Sequence, residues 1–214
     1  MKGLIVKDLL FLKGNLKTVI ILFIAFICMS FSMKGMGFAF YLPFIAIMMC
    51  TSTFSYDEYN KWDIYSTSLP ISRKKIVKAK YLFSFLALIV SFFISLLVTF
   101  IVSNIQNNFD AEILLPSIVY GFLAISIVLS IMYPLIYKWG VEKGRVAVFI
   151  VIIIFAALIG LASFALKNIS LPFSFSSFIP FFTEYQYIIL SVLAFLFLYI
   201  SYLISYKIYE KKEF

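Results

Sequence analysis

The stretch DEYNKWDIYSTSLPISRKKIVKAKY, residues 57–81, is the one long polar segment that lies between two extended apolar runs. It carries six of the chain's eighteen Lys and Arg residues and one of its two tryptophans, Trp62. The flanking runs are long enough to cross a bilayer, since a transmembrane helix needs roughly 20 mainly apolar residues. The stretch is therefore predicted to be a loop at a membrane surface, and most of the remaining chain to lie in hydrocarbon.

The composition is typical of a membrane protein. Of 214 residues, 64% are hydrophobic and only 13% are charged, and the mean hydropathy is +1.06. A soluble domain of this size cannot bury that much apolar surface. The sequence has no histidine, two cysteines (Cys28 and Cys50) and no phosphate-binding loop. It therefore lacks the usual zinc ligand sets and His-dependent catalysis, and we expect neither an enzyme nor a cofactor or metal site in this chain.

Six transmembrane helices are predicted, which makes the chain an all-α polytopic membrane protein. They lie at 18–33, 38–55, 82–103, 113–136, 146–166 and 185–206, within one domain of residues 18–206. Residues 1–17 form an interfacial helix, because their apolar piece contains Lys7 and Asp8 and is too short to span. Residues 167–184, KNISLPFSFSSFIPFFTE, are apolar but interrupted by Pro172 and Pro180, which predicts a re-entrant pair of half-helices. Residues 207–214 are a tail.

The basic residues predict the orientation of the chain. With the N-terminus inside, all but two of the eighteen Lys and Arg residues lie on the cytosolic side, the exceptions being Lys34 and Lys167. This distribution follows the positive-inside rule, so both termini are expected in the cytoplasm. It also explains the net charge of +8 better than nucleic-acid binding does.

The predicted spans contain no Asp, Glu, Lys or Arg. Ionisable residues within the membrane are the usual mark of proton relays and ion-coupled carriers, so this absence argues against a proton- or sodium-driven transporter. It also argues against a membrane protease, which needs a positioned acid, base or metal. If the chain moves a compound, a separate ATPase supplies the energy.

The first half of the loop is predicted to continue the second span as a helix. Asp57 and Lys61 are four residues apart and can pair, while Trp62, Tyr65 and Leu69 share one face. Trp62 has two interpretations, an anchor at the membrane interface or a contact to a partner.

The second half of the loop begins with a helix break. Pro70 ends the first helix, and Ser72 is placed as the N-cap of the next one. Arg73, Lys74 and Lys75 then occupy that helix's first turn, where each cation opposes the helix dipole by roughly 0.3–1 kcal/mol. Local stability does not explain them, and contact with anionic lipid or with an acidic partner surface remain the alternatives.

Several of these residues carry a resemblance to a known family. Glu58, Trp62, the run SLPISRK at 68–74, Lys80 and the N-terminal residues 4–10 resemble ABC-2 type permeases, the membrane subunits of bacterial ABC exporters. Within that family the chain is similar to permease subunits of staphylococcal phenol-soluble modulin exporters. The resemblance implies two six-span permease chains, the same or homologous, with two cytosolic ATPases that use ATP and Mg. It also implies export of amphipathic or hydrophobic compounds, such as peptides, across the cell membrane of a Gram-positive bacterium.

The same resemblance implies roles for two segments. The loop would couple the permease to the ATPase through Asp57, Glu58, Trp62, Tyr65, Leu69, Pro70 and Arg73. Residues 167–184 would form an external gate with Pro172, Phe173, Pro180, Phe181 and Glu184. The alternative function is a membrane-bound immunity, interaction or scaffold protein without a transport pathway.

A stripe of small residues marks one face of the second span. It consists of Ala39, Pro43, Ala46, Cys50 and Thr53, and a shorter match in the fifth span consists of Ala156, Gly160 and Ser163. Small residues let helices approach closely within lipid. The two faces either pack against neighbouring spans of the same chain or meet at a permease–permease interface along the pathway, closing it in one state and parting in another.

Overall fold

The computed structural model describes residues 2–32, 38–105, 111–168 and 179–212. These ranges are helical apart from short turns and contain no strand. The helices are α1 Lys2–Gly14, α2 Leu16–Ser32, α3 Phe38–Tyr59, α4 Trp62–Thr67, α5 Arg73–Ile105, α6 Ala111–Trp139, α7 Val141–Asn168 and α8 Ile179–Glu210. Each of the six predicted spans falls within one long helix, apart from residue 33, which lies outside the described residues, so the all-helical prediction is confirmed.

Three of the described helical stretches are both long and apolar enough to cross a membrane. They are Arg73–Val102 in α5, Val119–Trp139 in α6 and Ile188–Glu210 in α8. A shorter apolar stretch, Leu16–Ala25, lies in α2. The count of six spans and the cytoplasmic position of the two termini stay predictions.

The burial pattern is that of a bundle surrounded by lipid. Large apolar side chains are exposed along the outer faces of the long helices, as with Leu97 (64%), Ile153 (66%) and Ile188 (62%). Small polar side chains lie between the helices instead. On α5 they are Ser84, Ser91, Ser95 and Thr99, on α6 Ser126 and Ser130, and on α8 Ser201 and Ser205. Small residues between helices and apolar ones outside suit packing in a bilayer, where apolar burial gives little drive for helices to associate.

Helix α6 packs against α3, α5, α7 and α8. Its fully buried Tyr133 lies at the crossing of these helices. The Tyr133 hydroxyl is hydrogen-bonded to Ser84 on α5. Its ring stands edge-on to Phe54 of α3 at 4.9 Å and to Tyr81 of α5 at 5.0 Å. Helix α1 lies against α3 and α5.

The helix predicted to continue from the second span into the loop breaks earlier than expected. Helix α3 ends at Tyr59, Lys61 takes a left-handed backbone conformation with φ 52° and ψ 37°, and α4 starts at Trp62. The predicted pair between Asp57 and Lys61 is therefore wrong, and the Asp57 carboxylate binds Lys7 and Lys80 instead.

The second break occurs where it was expected. Helix α4 ends before Ser68, and α5 begins directly after Ser72, whose carbonyl accepts the N–H groups of Lys75 (2.8 Å) and Ile76 (3.3 Å). Pro70 lies between the two helices. The predicted helix end and the N-cap position of Ser72 are both confirmed.

The predicted re-entrant segment is only partly described. Helix α7 continues to Asn168 and α8 begins at Ile179, so the last helix starts six residues before the predicted sixth span. Pro172 and Phe173 lie outside the described residues. Helix α8 includes Pro180, Phe181 and Glu184, but the structure describes only their backbone.

Candidate functional site

The polar ends of most helices gather at one end of the bundle, which we call the α4 end. It comprises α1, α4, the last turns of α3, α6 and α8, and the first turns of α5 and α7. The ring of Tyr137 at the end of α6 lies 5.3 Å from that of Tyr209 at the end of α8, and 5.4 Å from Phe54 of α3. Aromatic side chains therefore pack the ends of α3, α6 and α8 together at the α4 end.

Four charged side chains meet in the interior of the α4 end and form what we call the four-charge cluster: Lys7, Asp8, Asp57 and Lys80. Lys80 Nζ lies 2.9 Å from Asp8 Oδ1 and 2.7 Å from Asp57 Oδ2. Lys7 Nζ lies 2.5 Å from Asp57 Oδ1 and 3.5 Å from Asp8 Oδ1. The two cations and two anions balance, and they join α1, α3 and α5 in one contact.

The four-charge cluster is buried, which makes its pairing energetically important. Asp8 is 2% exposed and Lys80 is 5% exposed. Lys80 also donates a hydrogen bond of 2.9 Å to Thr53, and Lys7 lies 4.2 Å from the centre of the Trp62 ring. Removing one partner of a buried pair costs about 3–5 kcal/mol, because the other charge is left unpaired.

Lys80 lies close to the start of the predicted third span. The spans were expected to contain no charged residue, with the third span starting at residue 82. Helix α5 starts at Arg73, and Lys80 lies within its apolar stretch Arg73–Val102. The predicted span itself, residues 82–103, contains no charged residue, and the charge of Lys80, two residues before it, is neutralised by Asp8 and Asp57.

Glu58 contacts the junction between α6 and α7. Its Oε2 accepts a hydrogen bond of 3.0 Å from the backbone N–H of Val141, the first residue of α7. Gly140 ends α6 with φ 84°, and a Cβ placed there would lie 2.9 Å from Glu58 Oε1. The carboxylate thus satisfies a free N–H at a helix start, where the helix dipole also favours a negative charge.

Helix α4 is held to the end of α8 by Asp63. One carboxylate oxygen accepts a hydrogen bond of 3.0 Å from Tyr209 Oη, and the other lies 3.7 Å from Lys212 Nζ. The half-buried Trp62 packs on the same core and lies 5.4 Å from Tyr65, ring to ring. The orientation of α4 is therefore fixed by contacts at its first two residues.

Arg73 has a partner that its position in the sequence does not suggest. Its Nη1 lies 3.2 Å from the carbonyl oxygen of Tyr209, 2.6 Å from that of Glu210 and 2.8 Å from that of Lys212. The first two oxygens belong to the last residues of α8, at the negative end of the helix dipole, and the third lies two residues beyond that helix. The cation thus opposes the dipole of α5 but satisfies the last carbonyls of α8.

The predicted coupling residues divide into two groups. Asp57, Glu58, Trp62 and Arg73 make the contacts within the chain given above. Tyr65 is 57% exposed, Pro70 is exposed and Leu69 is half-buried. Two neighbours absent from the sequence prediction face outward with Tyr65. They are Tyr59, 86% exposed, and Ile64, 55% exposed.

The small-residue stripe of α3 is largely buried within this single chain. Pro43, Cys50 and Thr53 are almost fully enclosed, and Thr53 takes part in the four-charge cluster's hydrogen bonding. Ala46 is half-buried and faces an apolar groove of about 320 Å³ between α1, α2, α3 and α5. The structure describes only the helical backbone at Ala39, Ala156, Gly160 and Ser163, and their burial lies outside that description. The proposed role of this face at a permease–permease interface stays a prediction.

The sequence interpretation did not identify Lys7, Asp8, Lys80 and Asp63 as parts of the site. One signal was available for Asp8, since a charged pair interrupts an otherwise apolar helix in Lys7-Asp8. Asp63 carries no local signal, because its partners Tyr209 and Lys212 lie far away in the chain, and Lys80 is marked only by its place in the family resemblance.

The sequence matches the family described as "ABC-2 family transporter protein" over residues 3–210, which is nearly the whole chain. The chain belongs to the ABC-2 transporter family. No curated protein and no solved structure matches it. As an ABC-2 protein it is a membrane component of an ABC transporter, and membership implies an ATPase partner. The α4 end is therefore part of the membrane component of such a transporter.

Proposed function

We propose that this ABC-2 protein is the permease subunit of an ATP-powered exporter and that it contacts the ATPase through α4. The proposal rests on how α4 is attached to the bundle. Asp63 and Trp62 attach one side of this short helix to the bundle. Two exposed tyrosines face away from the bundle, Tyr65 on α4 and Tyr59 at the end of α3. Exposed aromatic side chains on a fixed support are typical of the residues that dominate protein–protein interfaces.

The charged residues near α4 then have a supporting role in coupling. Asp57, through the four-charge cluster, connects the end of α3 to α1 and α5. Glu58 connects it to the start of α7. A push on the end of α3 therefore reaches α5 and α7 through an ion pair and a hydrogen bond, and a push on α4 reaches the end of α8 through Asp63. ATP and Mg are used by the ATPase, and this chain supplies the moving helices.

The proposed cargo is amphipathic or hydrophobic, with peptides such as phenol-soluble modulins or antimicrobial peptides as the substrate class. The resemblance to exporters of such peptides supports this choice. In addition, the described buried positions on α5, α6 and α8 beyond the α4 end carry Ser and Thr but no charged side chain. Such a lining suits an apolar or amphipathic compound better than an ion or a charged metabolite. Two permease chains, the same or homologous, would enclose the pathway.

The decisive experiment measures capture of the ATPase. We expect the double variant Tyr59→Ala/Tyr65→Ala to reach the membrane at the level of the wild type but to lose co-purification of the ATPase by roughly tenfold or more, because each hot-spot aromatic contributes about 2 kcal/mol. The matched control is Tyr199→Ala, which removes an equally exposed tyrosine of α8, 61% exposed and about three turns from that helix's end. Undiminished capture by the double variant would overturn the proposed docking surface.

A transport assay separates the exporter from an immunity or scaffold protein. The permease and its ATPase are placed in vesicles, and ATP-dependent movement of a fluorescent amphipathic peptide is followed. The exporter requires movement that stops when ATP is withheld. Binding of the peptide without ATP-dependent movement would favour a protein without a pathway.

A further inference from the structure

A groove of about 490 Å³ runs along the bundle surface between α5 and α8. It is lined by Lys74, Lys78, Tyr81, Leu82 and Phe85 on α5 and by Phe195, Leu198, Tyr199 and Tyr202 on α8. The α5 residues recur at steps of three or four positions, so they share one face of that helix. The groove therefore carries two cations at the α4 end and aromatic or aliphatic walls further along.

The two walls are held together by contacts across the groove floor. Tyr81 Oη lies 2.6 Å from Ser201 Oγ and 2.8 Å from Ser205 Oγ. Deeper in the groove, the rings of Phe85 and Phe195 lie 5.9 Å apart. The groove is thus a product of helix packing, and its volume lies in the range of roughly 300–1,000 Å³ found for small-molecule sites.

The cations at the end of the groove have no acidic partner within the described residues. Lys74 and Lys78 are both exposed, and the ion pairs among the described residues involve other lysines. Lys74 Nζ lies 5.8 Å from the centre of the Tyr206 ring. Both lysines occupy the first two turns of α5, where the helix dipole adds further positive potential. An anion at this position would relieve an otherwise unfavourable accumulation of positive charge.

We propose that the groove binds one anionic phospholipid. Its phosphate lies between Lys74 and Lys78, and one acyl chain follows Leu82 and Phe85 toward Phe195. From Lys74 to Phe85 the helix rises about 16 Å at 1.5 Å per residue, which accommodates most of an acyl chain. The site is located where α5 changes from basic to apolar residues, which is also where a phospholipid changes from headgroup to hydrocarbon.

Two other occupants fit the groove less well. A free phosphate would use the lysines but leave the apolar walls uncovered. A peptide would bring backbone N–H and C=O groups along walls that offer few partners, since Tyr81 Oη is already engaged by two serines. A phospholipid matches both halves of the groove.

The test compares lipids by native mass spectrometry of the purified permease. We expect the wild type to bind one phosphatidylglycerol more tightly than phosphatidylcholine with the same acyl chains. Lys74→Gln/Lys78→Gln should weaken phosphatidylglycerol binding by roughly 30-fold. The control variant Lys75→Gln/Lys143→Gln removes the same charge from exposed lysines outside the groove and should retain the wild-type affinity.

Soluble glycerol phosphate and an anionic amphipathic peptide serve as competitors. Neither should displace the lipid at concentrations at which a second anionic phospholipid does. Displacement by glycerol phosphate would reduce the site to a phosphate site, and displacement by the peptide would assign the groove to cargo. Either result, an equal loss in the control variant, or equal binding of the two phospholipids would overturn the proposal.

Discussion

Lys80 and Asp8 form a buried ion pair, with Nζ 2.9 Å from Oδ1, although 72 residues separate them in the sequence. The pair attaches the N-terminal helix to the start of α5 at the depth where α3 also ends. The same Lys80 binds Asp57, the residue directly before Glu58, which contacts α7. Lys7 of the N-terminal helix also lies 4.2 Å from the centre of the Trp62 ring, so this helix supports α4 as well.

The first prediction concerns the stability of this support. Lys80→Met leaves Asp8 and Asp57 with only Lys7 as a counter-ion, and we expect a loss of about 3 kcal/mol in the free energy of unfolding. The thermal unfolding midpoint in detergent would fall by several degrees. Lys75→Met is the matched control, since that lysine is exposed on the same helix, and it should change the free energy by less than about 0.5 kcal/mol.

A compensating variant sharpens this prediction. Asp8→Leu/Lys80→Met removes one cation and one anion together and leaves the pair between Lys7 and Asp57. The double variant should be more stable than Lys80→Met alone, because no buried charge is left in excess. If the double variant loses as much stability as Asp8→Leu and Lys80→Met lose together, the charges of the four-charge cluster do not stabilise one another.

The second prediction concerns the clamp between Arg73 and the end of α8. Arg73→Gln removes the cation from the last carbonyls of that helix, and we expect the last turn to fray. Hydrogen exchange of the amides of residues 207–212 should become roughly tenfold faster, corresponding to about 1–2 kcal/mol at a partly buried helix terminus. Lys75→Gln removes the same charge from an exposed lysine two residues away and should leave their exchange unchanged. Equal exchange in both variants would show that Arg73 does not stabilise α8.

Residues near in sequence were easier to interpret than residues near only in space. Apolar runs predict the long helices, and Pro70 with Ser72 predicts the break before α5, because these effects act within one turn. Arg73 looks unfavourable by the same local rules, since its partners lie 136 to 139 residues away, at the end of α8 and just beyond it. The pairing of Asp8 with Lys80 is non-local in the same way. The contacts at the α4 end could therefore not be predicted from sequence pattern and residue spacing.

The third prediction concerns topology. In a chain with Cys28→Ser, which removes an exposed thiol, single cysteines at Lys74 and Lys143 should react with a membrane-impermeant maleimide only from the cytosolic side. Cysteines at Asn107 and Ser176 should react only from outside. The reason is the distribution of basic residues, of which all but two lie on one side of the predicted spans. The native Cys50 is buried and serves as an internal unreactive control. Labelling at Lys74 from outside intact cells would contradict the six-span orientation.

The last prediction concerns Gly140 and Glu58, which together shape the junction of α6 and α7. Gly140→Ala places a Cβ on a backbone with φ 84°, at a cost of about 1–2 kcal/mol for an L-residue. The same Cβ would lie 2.9 Å from Glu58 Oε1, so the carboxylate must move away from the Val141 N–H. Gly14→Ala is the control, because nothing lies within 4 Å of a Cβ at that glycine. It should change the free energy of unfolding by less than about 0.5 kcal/mol.

A double-mutant cycle then isolates the contact. In the wild type, Glu58→Ala removes a helix cap and should cost about 1 kcal/mol of stability. In the Gly140→Ala background the carboxylate has already left its position, so Glu58→Ala should cost close to nothing. The measurement is the free energy of unfolding of the four chains in one detergent, with ATPase capture recorded alongside. If Glu58→Ala costs as much stability in the Gly140→Ala background as in the wild type, Glu58 does not cap α7. A non-additive cycle with a parallel loss of ATPase capture would tie the support of α4 to docking of the ATPase.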